Sequence, residues 1–219
     1  MVSMVEKSFA RSCAQVMLFL HRVATRSPVR VIAGTAKGRK LLTCPGSVTR
    51  PTPARVREAL FSMLAGFVDL HSAHILDLFA GSGAMGIEAL SRGAAHATFV
   101  ERDRAAQAVL RRNLMPFADR AHLCAMPATA ALKLLQPRVF DIVFLDPPYQ
   151  AGLLTPTLAA LQQGRFVAAG GAVVCEYASR SAAPEPPAGF VVARHRRFGD
   201  VSVQILSPVS PKEPAACPS

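Results

Sequence analysis

Hydrophobic positions change their spacing several times along this chain. From Val29 to Leu42, "VRVIAGTAKGRKLL" sets two short apolar clusters around a glycine-containing turn, which predicts a hairpin. "TCPGSVTRPTP" (43–53) has loop composition, and Thr52 followed by Pro53 predicts a helix cap with proline in the first helical position. Val56, Leu60, Met63, Leu64 and Phe67 then recur at helical spacing. From residue 75 short apolar runs alternate with helical patterns. "HILDLFA", "HATFVE", "AHLCAM", "FDIVFLD" and "GGAVVCEY" predict strands. "GSGAMGIEALSRGA", "DRAAQAVLRRNL", "TAALKLL" and "LLTPTLAALQQ" predict the helices between them. "GFVVARHRRF" and "VSVQILSP" are joined by Gly199-Asp200 alone, a tight hairpin that makes one C-terminal strand antiparallel to a neighbour.

Alternation of this kind predicts an α/β fold with a doubly wound, mostly parallel sheet. The chain divides into an extension (1–28), a hairpin and helix (29–70), the α/β domain (71–208) and a polar tail (209–219) that is expected to be disordered. No apolar run reaches the ~18 residues of a membrane span. Cys13, Cys44, Cys124, Cys175 and Cys217 are odd in number and form no CxxC pair. That argues against a disulfide framework or a metal site, and it suits a reducing, cytoplasmic setting.

Charge refines the picture. Of the net +11, residues 1–57 carry eleven Lys/Arg against Glu6, a net of +10, and residues 58–219 carry fourteen against thirteen acids, a net of +1. A basic first quarter suits a polyanion, nucleic acid above all. Lys37, Arg39, Lys40, Arg50, Arg55 and Arg57 are its candidate contacts. "RHRR" (194–197) alternates along a strand and reads as a solvated face.

Two motifs carry chemistry. Residues 81–86, G-S-G-A-M-G, follow a strand and open a helix, with Glu101 at the end of the next strand. Gly81, Ser82 and Gly83 permit close approach of a ligand, and Glu101 can accept hydrogen bonds from ribose hydroxyls. This fits a nicotinamide dinucleotide as well as S-adenosylmethionine. Asp77, with Phe79 on the same strand-to-loop passage, tilts the reading. A carboxylate repels a pyrophosphate and attracts an ammonium and a sulfonium.

The second motif is Asp146-Pro147-Pro148-Tyr149. An exocyclic ring amine is a poor nucleophile because its lone pair is delocalised. Acceptors for both N–H groups, the Asp146 carboxylate and the Pro147 carbonyl, favour the pyramidal geometry that attack requires. The Pro-Pro pair fixes those acceptors beforehand. Tyr149 offers a ring on which an extruded base can stack.

"ILDLFAGSGAMGIEALSRGA", "FVERD" and "FDIVFLDPPY" resemble the exocyclic-amine branch of class I S-adenosylmethionine-dependent methyltransferases. "RVIAGTAKGRKL" with "RPTPARVREALFSML" is similar to the bacterial small-subunit rRNA guanine-N2 methyltransferase family (RsmD-like), and the resemblance spans residues 29–206. It implies a seven-stranded sheet, S-adenosylmethionine as cofactor, and 16S ribosomal RNA or an assembling small subunit as partner, with a monomer expected. It places the cofactor loop on Gly81–Gly83, the ribose acid on Glu101 and catalysis on Asp146–Tyr149. Ala130 stands where the family often has Asp or Asn, so adenine recognition is expected from the main chain at Ala125 and Met126. Three other readings stay open. One is an adenine-N6 or cytosine-N4 methyltransferase on DNA or RNA, another an NAD(P)-dependent oxidoreductase, and the third an RNA-binding assembly factor without activity.

Overall fold

A computed structural model describes residues 29–44, 52–148 and 152–209. The expectations for 1–28, Arg50, Tyr149 and 210–219 lie outside the described residues. Helix α1 (Ala54–Leu64) precedes β1 (His74–Asp77), α2 (Ala84–Ser91), β2 (His96–Val100), α3 (Arg104–Leu114) and β3 (Ala121–Cys124). Then come α4 (Ala128–Leu135), β4 (Phe140–Leu145), α5 (Leu154–Gln163), β5 (Val167–Ala178), β6 (Phe190–Phe198) and β7 (Val201–Pro208). They build a seven-stranded sheet in the order β3-β2-β1-β4-β5-β7-β6. Strands β1 to β5 run parallel, and β7 is antiparallel to both β5 and β6. This is the architecture the alternating pattern predicts.

Each face of the sheet has its own core. Ile75, Phe144, Val174 and Ile205 pack under α1, α2 and α3. Leu76, Val143, Val173 and Leu206 pack under α4 and α5. The hydrophobic alternation along β1, β4 and β5 thus supplies two interiors, as a sheet covered on both sides requires.

The hairpin expected over 29–42 is reduced to a single bridge, Arg30 to Lys40. Val31 N–H donates to Arg39 O (3.0 Å) and Leu41 N–H to Val29 O (2.8 Å) around the turn. Much of this segment's backbone is instead satisfied by side chains of the α/β domain. Glu88 accepts from Ile32 N (2.7 Å) and Ala33 N (3.0 Å). Ser91 Oγ accepts from Ala36 N (2.9 Å), and Asn113 Oδ1 accepts from Leu42 N (2.9 Å). Gly34 (φ +80) lies so close that an added Cβ would sit 1.7 Å from Ser91 O. Val31, Leu41 and the buried face of α1 share one apolar cluster with Ile75, Ile87 and Phe99. The segment 29–70 therefore has no core of its own.

Helix α1 starts one residue later than expected. Pro53 is its cap residue, no side chain bonds the first turn, and no acid stands there. Eleven residues so poorly capped would be marginal alone. Tertiary burial holds them: Leu60, Phe61 and Leu64 are at most 2% exposed, each contributing roughly 1.5–3 kcal/mol. The Thr52 hydroxyl, expected as the cap, donates instead to Glu176 Oε2 at 2.8 Å.

Candidate active site

Strands β1 and β4 are neighbours, with Asp77 opposite Phe144. Leu78 N–H donates to Phe144 O (3.1 Å), so the two chains leave the sheet together. This sets the Asp77 corner beside the Asp146 corner at the carboxyl edge, where open α/β sheets take their ligands.

Asp77 is buried. Its Oδ2 accepts from Gly86 N at 3.2 Å, bracing the start of α2. Burial pushes its carboxyl up to about 7, and Glu101 adds to the rise; the Gly86 and Phe79 amides oppose it. The glycine loop follows. Gly81 and Gly83 have φ of +53 and +81, which only glycine adopts readily. A Cβ on Gly83 would strike Leu110 Cδ1 at 2.5 Å, whereas one on Gly81 would meet nothing within 4 Å. Gly83 is therefore glycine for packing, and Gly81 keeps a stretch of backbone open. Glu101 Oε2 accepts from Gly81 N (2.8 Å) and Oε1 from Asp103 N (2.8 Å). The half-buried carboxylate is thus fixed at the loop, with lone pairs left for further donors. Ser82 O accepts from Asn113 Nδ2 at 2.8 Å. Phe79 and Met126 are half-buried and Ala125 is exposed, and Met126 N–H donates to Cys124 O (3.0 Å). Residues 77 to 83 include two bends, a buried acid and no cation. That donor set fits a cationic ligand bearing ribose and does not fit a pyrophosphate.

At the second corner Pro147 is buried, and Asp146 and Pro148 are half-buried. The Asp146 carboxyl is pushed well above the usual carboxylate range, first by burial and then by the Glu176 and Asp77 carboxylates. Pro147 and Pro148 wall a cavity of about 410 Å³ with Leu153, Glu176 and Tyr177. A larger cavity of about 600 Å³ lies at the opposite, amino-terminal edge beside His74, His96 and His122. It is a sheet's length away from these corners.

The basic segment divides. Lys37, Arg39, Lys40 and Arg55 are exposed. Arg57 is 1% exposed and does not belong to that face. Its guanidinium donates to Thr52 O (2.7 Å) and Arg30 O (2.6 Å), tying the turn to α1. Burial lowers its pKa, and the Glu88 and Glu176 carboxylates work against that. Helical periodicity placed Val56 and Leu60 inside, and Arg57 is drawn in beside them by backbone carbonyls that need donors. Arg30 is an exposed cation that the sequence analysis did not select; it donates to Gly38 O at 3.0 Å. On β6, Arg194 lies over the Phe67 ring (4.8 Å) and His195 meets the Tyr177 hydroxyl (3.0 Å).

Glu88, Asn113 and Glu176 were also not selected. For Glu88 and Glu176 the one sequence signal is an acid within an apolar helix or strand, and Asn113, on a helix rich in arginine, gives none. No helix among the described residues is long and apolar enough to cross a membrane, and none of them form a metal-binding group.

Residues 29–207 match the family model described as Conserved hypothetical protein 95. Ribosomal RNA small subunit methyltransferase D of Escherichia coli strain K12 is 38% identical over 178 residues, 81% of this chain and 88% of that protein. The Haemophilus influenzae protein of the same name is 37% identical over 147 residues, 65% of this chain and 75% of that one. Among solved structures, Escherichia coli yhhF superposes with a TM-score of 0.72 at 35% identity, covering 83% of this chain and 98% of that one.

Proposed function

Since the chain belongs to the Conserved hypothetical protein 95 family and aligns along most of its length with ribosomal RNA small subunit methyltransferase D, we propose that it is an S-adenosylmethionine-dependent methyltransferase of small-subunit ribosomal RNA, acting on the exocyclic N2 of a guanine. One observation carries this reading. Asp77 and Asp146 close two adjoining parallel strands, so a cofactor site and an amine site share one edge of the sheet.

The cofactor, when bound, supplies a methyl group activated by a sulfonium. Asp77 and Glu101 are the residues to hold it, one against its positive charge and one against its ribose, while Gly81 admits it to the main chain. The Asp146 carboxylate accepts a hydrogen bond from one amine N–H and the Pro147 carbonyl from the other. They orient the nitrogen's lone pair and restrain its rotation, and positioning of this kind supplies much of the acceleration. As the nitrogen gains its new bond it becomes acidic, and its proton passes to Asp146 Oδ. A carboxyl with a raised pKa is a good recipient, provided it is ionised when the base arrives. The positive charge of the bound cofactor favours that ionisation. The target base must leave its stack to reach the corner. Lys37, Arg39, Lys40 and Arg55 hold the phosphate backbone, and the reaction proceeds with a cytoplasmic monomer.

The test is transfer of tritiated methyl to undermethylated 16S ribosomal RNA and to small subunits, with digestion and nucleoside identification. N2-methylguanosine is the expected product. N6-methyladenosine or N4-methylcytidine would replace the guanine reading, and binding of NAD in preference to S-adenosylhomocysteine would end it.

A further inference from the structure

We propose that Glu176 selects the base: beside Asp146, its carboxylate receives the N1–H of the target guanine while Asp146 receives an N2–H. This rests on the guanine-N2 reading above and assigns to it a residue that chooses among amines.

The placement follows from the sheet. Strands β4 and β5 are parallel, and their register runs to Leu145 opposite Cys175. The next residues along the two chains are Asp146 and Glu176; a continued register would set them side by side with side chains on the same face, about 4.8 Å apart, and the two carboxylates are close enough to act on one another electrostatically. Glu176 is buried, at 6% exposure. It also lines the cavity of about 410 Å³ whose other walls include Pro147, Pro148 and Leu153. A flat ring entering between those walls meets Glu176, and Asp146 is the residue that leads directly into the Pro147 wall.

The acid is held for this. Thr52 donates to Glu176 Oε2 at 2.8 Å, and Thr52 is itself fixed through its carbonyl by Arg57 at 2.7 Å. Charge attraction links Arg57 to Glu176. A glutamine would satisfy the Thr52 hydroxyl equally well and would not repel Asp146. The fold nevertheless sets a second buried acid against the first, and its charge raises the cost of ionising Asp146. A substrate that presents two adjacent donors resolves that repulsion.

Guanine presents them. Its Watson–Crick edge carries N1–H next to the N2 amine, so paired acceptors are matched by paired donors. Adenine and cytosine place a ring nitrogen lone pair next to their amines. A carboxylate facing that lone pair repels it, and an unmatched buried acceptor discriminates strongly. The Asp-Pro-Pro corner handles the amine of any of the three bases, and Glu176 restricts it to one.

The experiment uses small subunits or ribosomal RNA carrying, at the mapped methylation site, either guanosine or 2-aminopurine riboside. The latter keeps the amine but has a lone pair at N1. The wild-type protein is expected to favour guanosine by about tenfold or more. In Glu176→Gln the amide can keep Thr52 and turn its N–H toward N1. Transfer to guanosine should fall about tenfold and the preference should shrink or invert, with S-adenosylhomocysteine affinity unchanged. Thr52→Val, which loosens Glu176 without removing it, should narrow the preference by a smaller factor. An identical preference in wild type and Glu176→Gln overturns the inference. So does a wild-type protein that treats the two bases alike while making N2-methylated product, whether or not the variants fold. A wild-type product that is not N2-methylguanosine overturns both this inference and the reading beneath it.

Discussion

The seam between the basic segment and the α/β domain and the carboxyl edge of the sheet are both lined with buried acids, and the two treat them in opposite ways. At the seam Glu88 has work within the fold: it accepts from two backbone amides and from Arg92 Nε at 2.8 Å. At the edge, Asp77 and Asp146 are desolvated against other carboxylates, and their protonated forms are favoured. Glu88 at the seam stabilises the native state, whereas the desolvated charges of Asp77 and Asp146 at the edge oppose it. On the proposed function, stability rests on Glu88 and chemistry on the edge, with Glu176 joined to both through Thr52 and Asp146.

The contrast can be broken most sharply at Glu88. Glu88→Ala leaves two amides and Arg92 without their partner and should cost about 3–5 kcal/mol. Chemical denaturation would register this as a lowered midpoint at unchanged slope. An undiminished midpoint would mean that the seam is not a stabilising element. Asp146→Asn should do the reverse. Methyl transfer should drop by about 10²–10³-fold, by analogy with the loss of one preorganised transition-state contact. Thermal stability at pH 8 should hold or rise, and S-adenosylhomocysteine binding should persist in calorimetry.

Asp77 sharpens the comparison through pH. Its carboxyl titrates near 7 in the folded protein and near the ordinary value of 3.8 when unfolded. The folded state therefore binds the extra proton between those values, and ligand-free stability falls as pH rises from about 4 to about 7. Above that range the full penalty is present, and Asp77→Asn should remove it, raising the melting temperature most at pH 8. Cofactor affinity moves the other way. It should strengthen as pH rises through about 7, where the carboxylate becomes available to a cation, and Asp77→Asn should flatten that dependence. A smaller effect is expected on the exposed face. Replacing Lys37, Arg39 and Lys40 together with Ala should lessen the salt dependence of RNA binding by about 0.7–0.9 in log–log slope per lost phosphate contact. Replacing Arg57 should act through stability and leave that slope alone, since the side chain is buried.

The same division explains what could be read from sequence. The carboxyl edge is made of local signals: a strand, a glycine turn, a helix, then an acid one strand later. Asp77, Gly81, Glu101 and Asp146 follow from those patterns because right-handed β-α-β connections leave few places to put them. The seam depends on pairs 55 to 71 residues apart, such as Glu88 with Ala33 and Asn113 with Leu42. Nothing in the hydrophobic spacing couples such residues. Arg57 shows the consequence. In a basic run it reads as a surface cation, and only the carbonyls of Thr52 and Arg30 draw it inside. The hairpin over 29–42 is present but short, its two arms joined around the Arg30–Lys40 bridge, and the rest of its backbone is satisfied by side chains of α2 and α3, which the spacing does not reveal.

Asn113 has a practical consequence for anyone wishing to dissect the molecule. Its amide holds both backbone groups of Leu42, accepting from the N–H at 2.9 Å and donating to the carbonyl at 3.0 Å, and at the same time steadies Ser82 in the glycine loop at 2.8 Å. Cutting the chain near residue 70 would not liberate a minimal catalytic half. It would leave the bond from Asn113 to Ser82 in place but expose a carboxamide, a hydroxyl and an acid that were dry, so the basic segment and the domain carrying the glycine loop stand or fall as one piece.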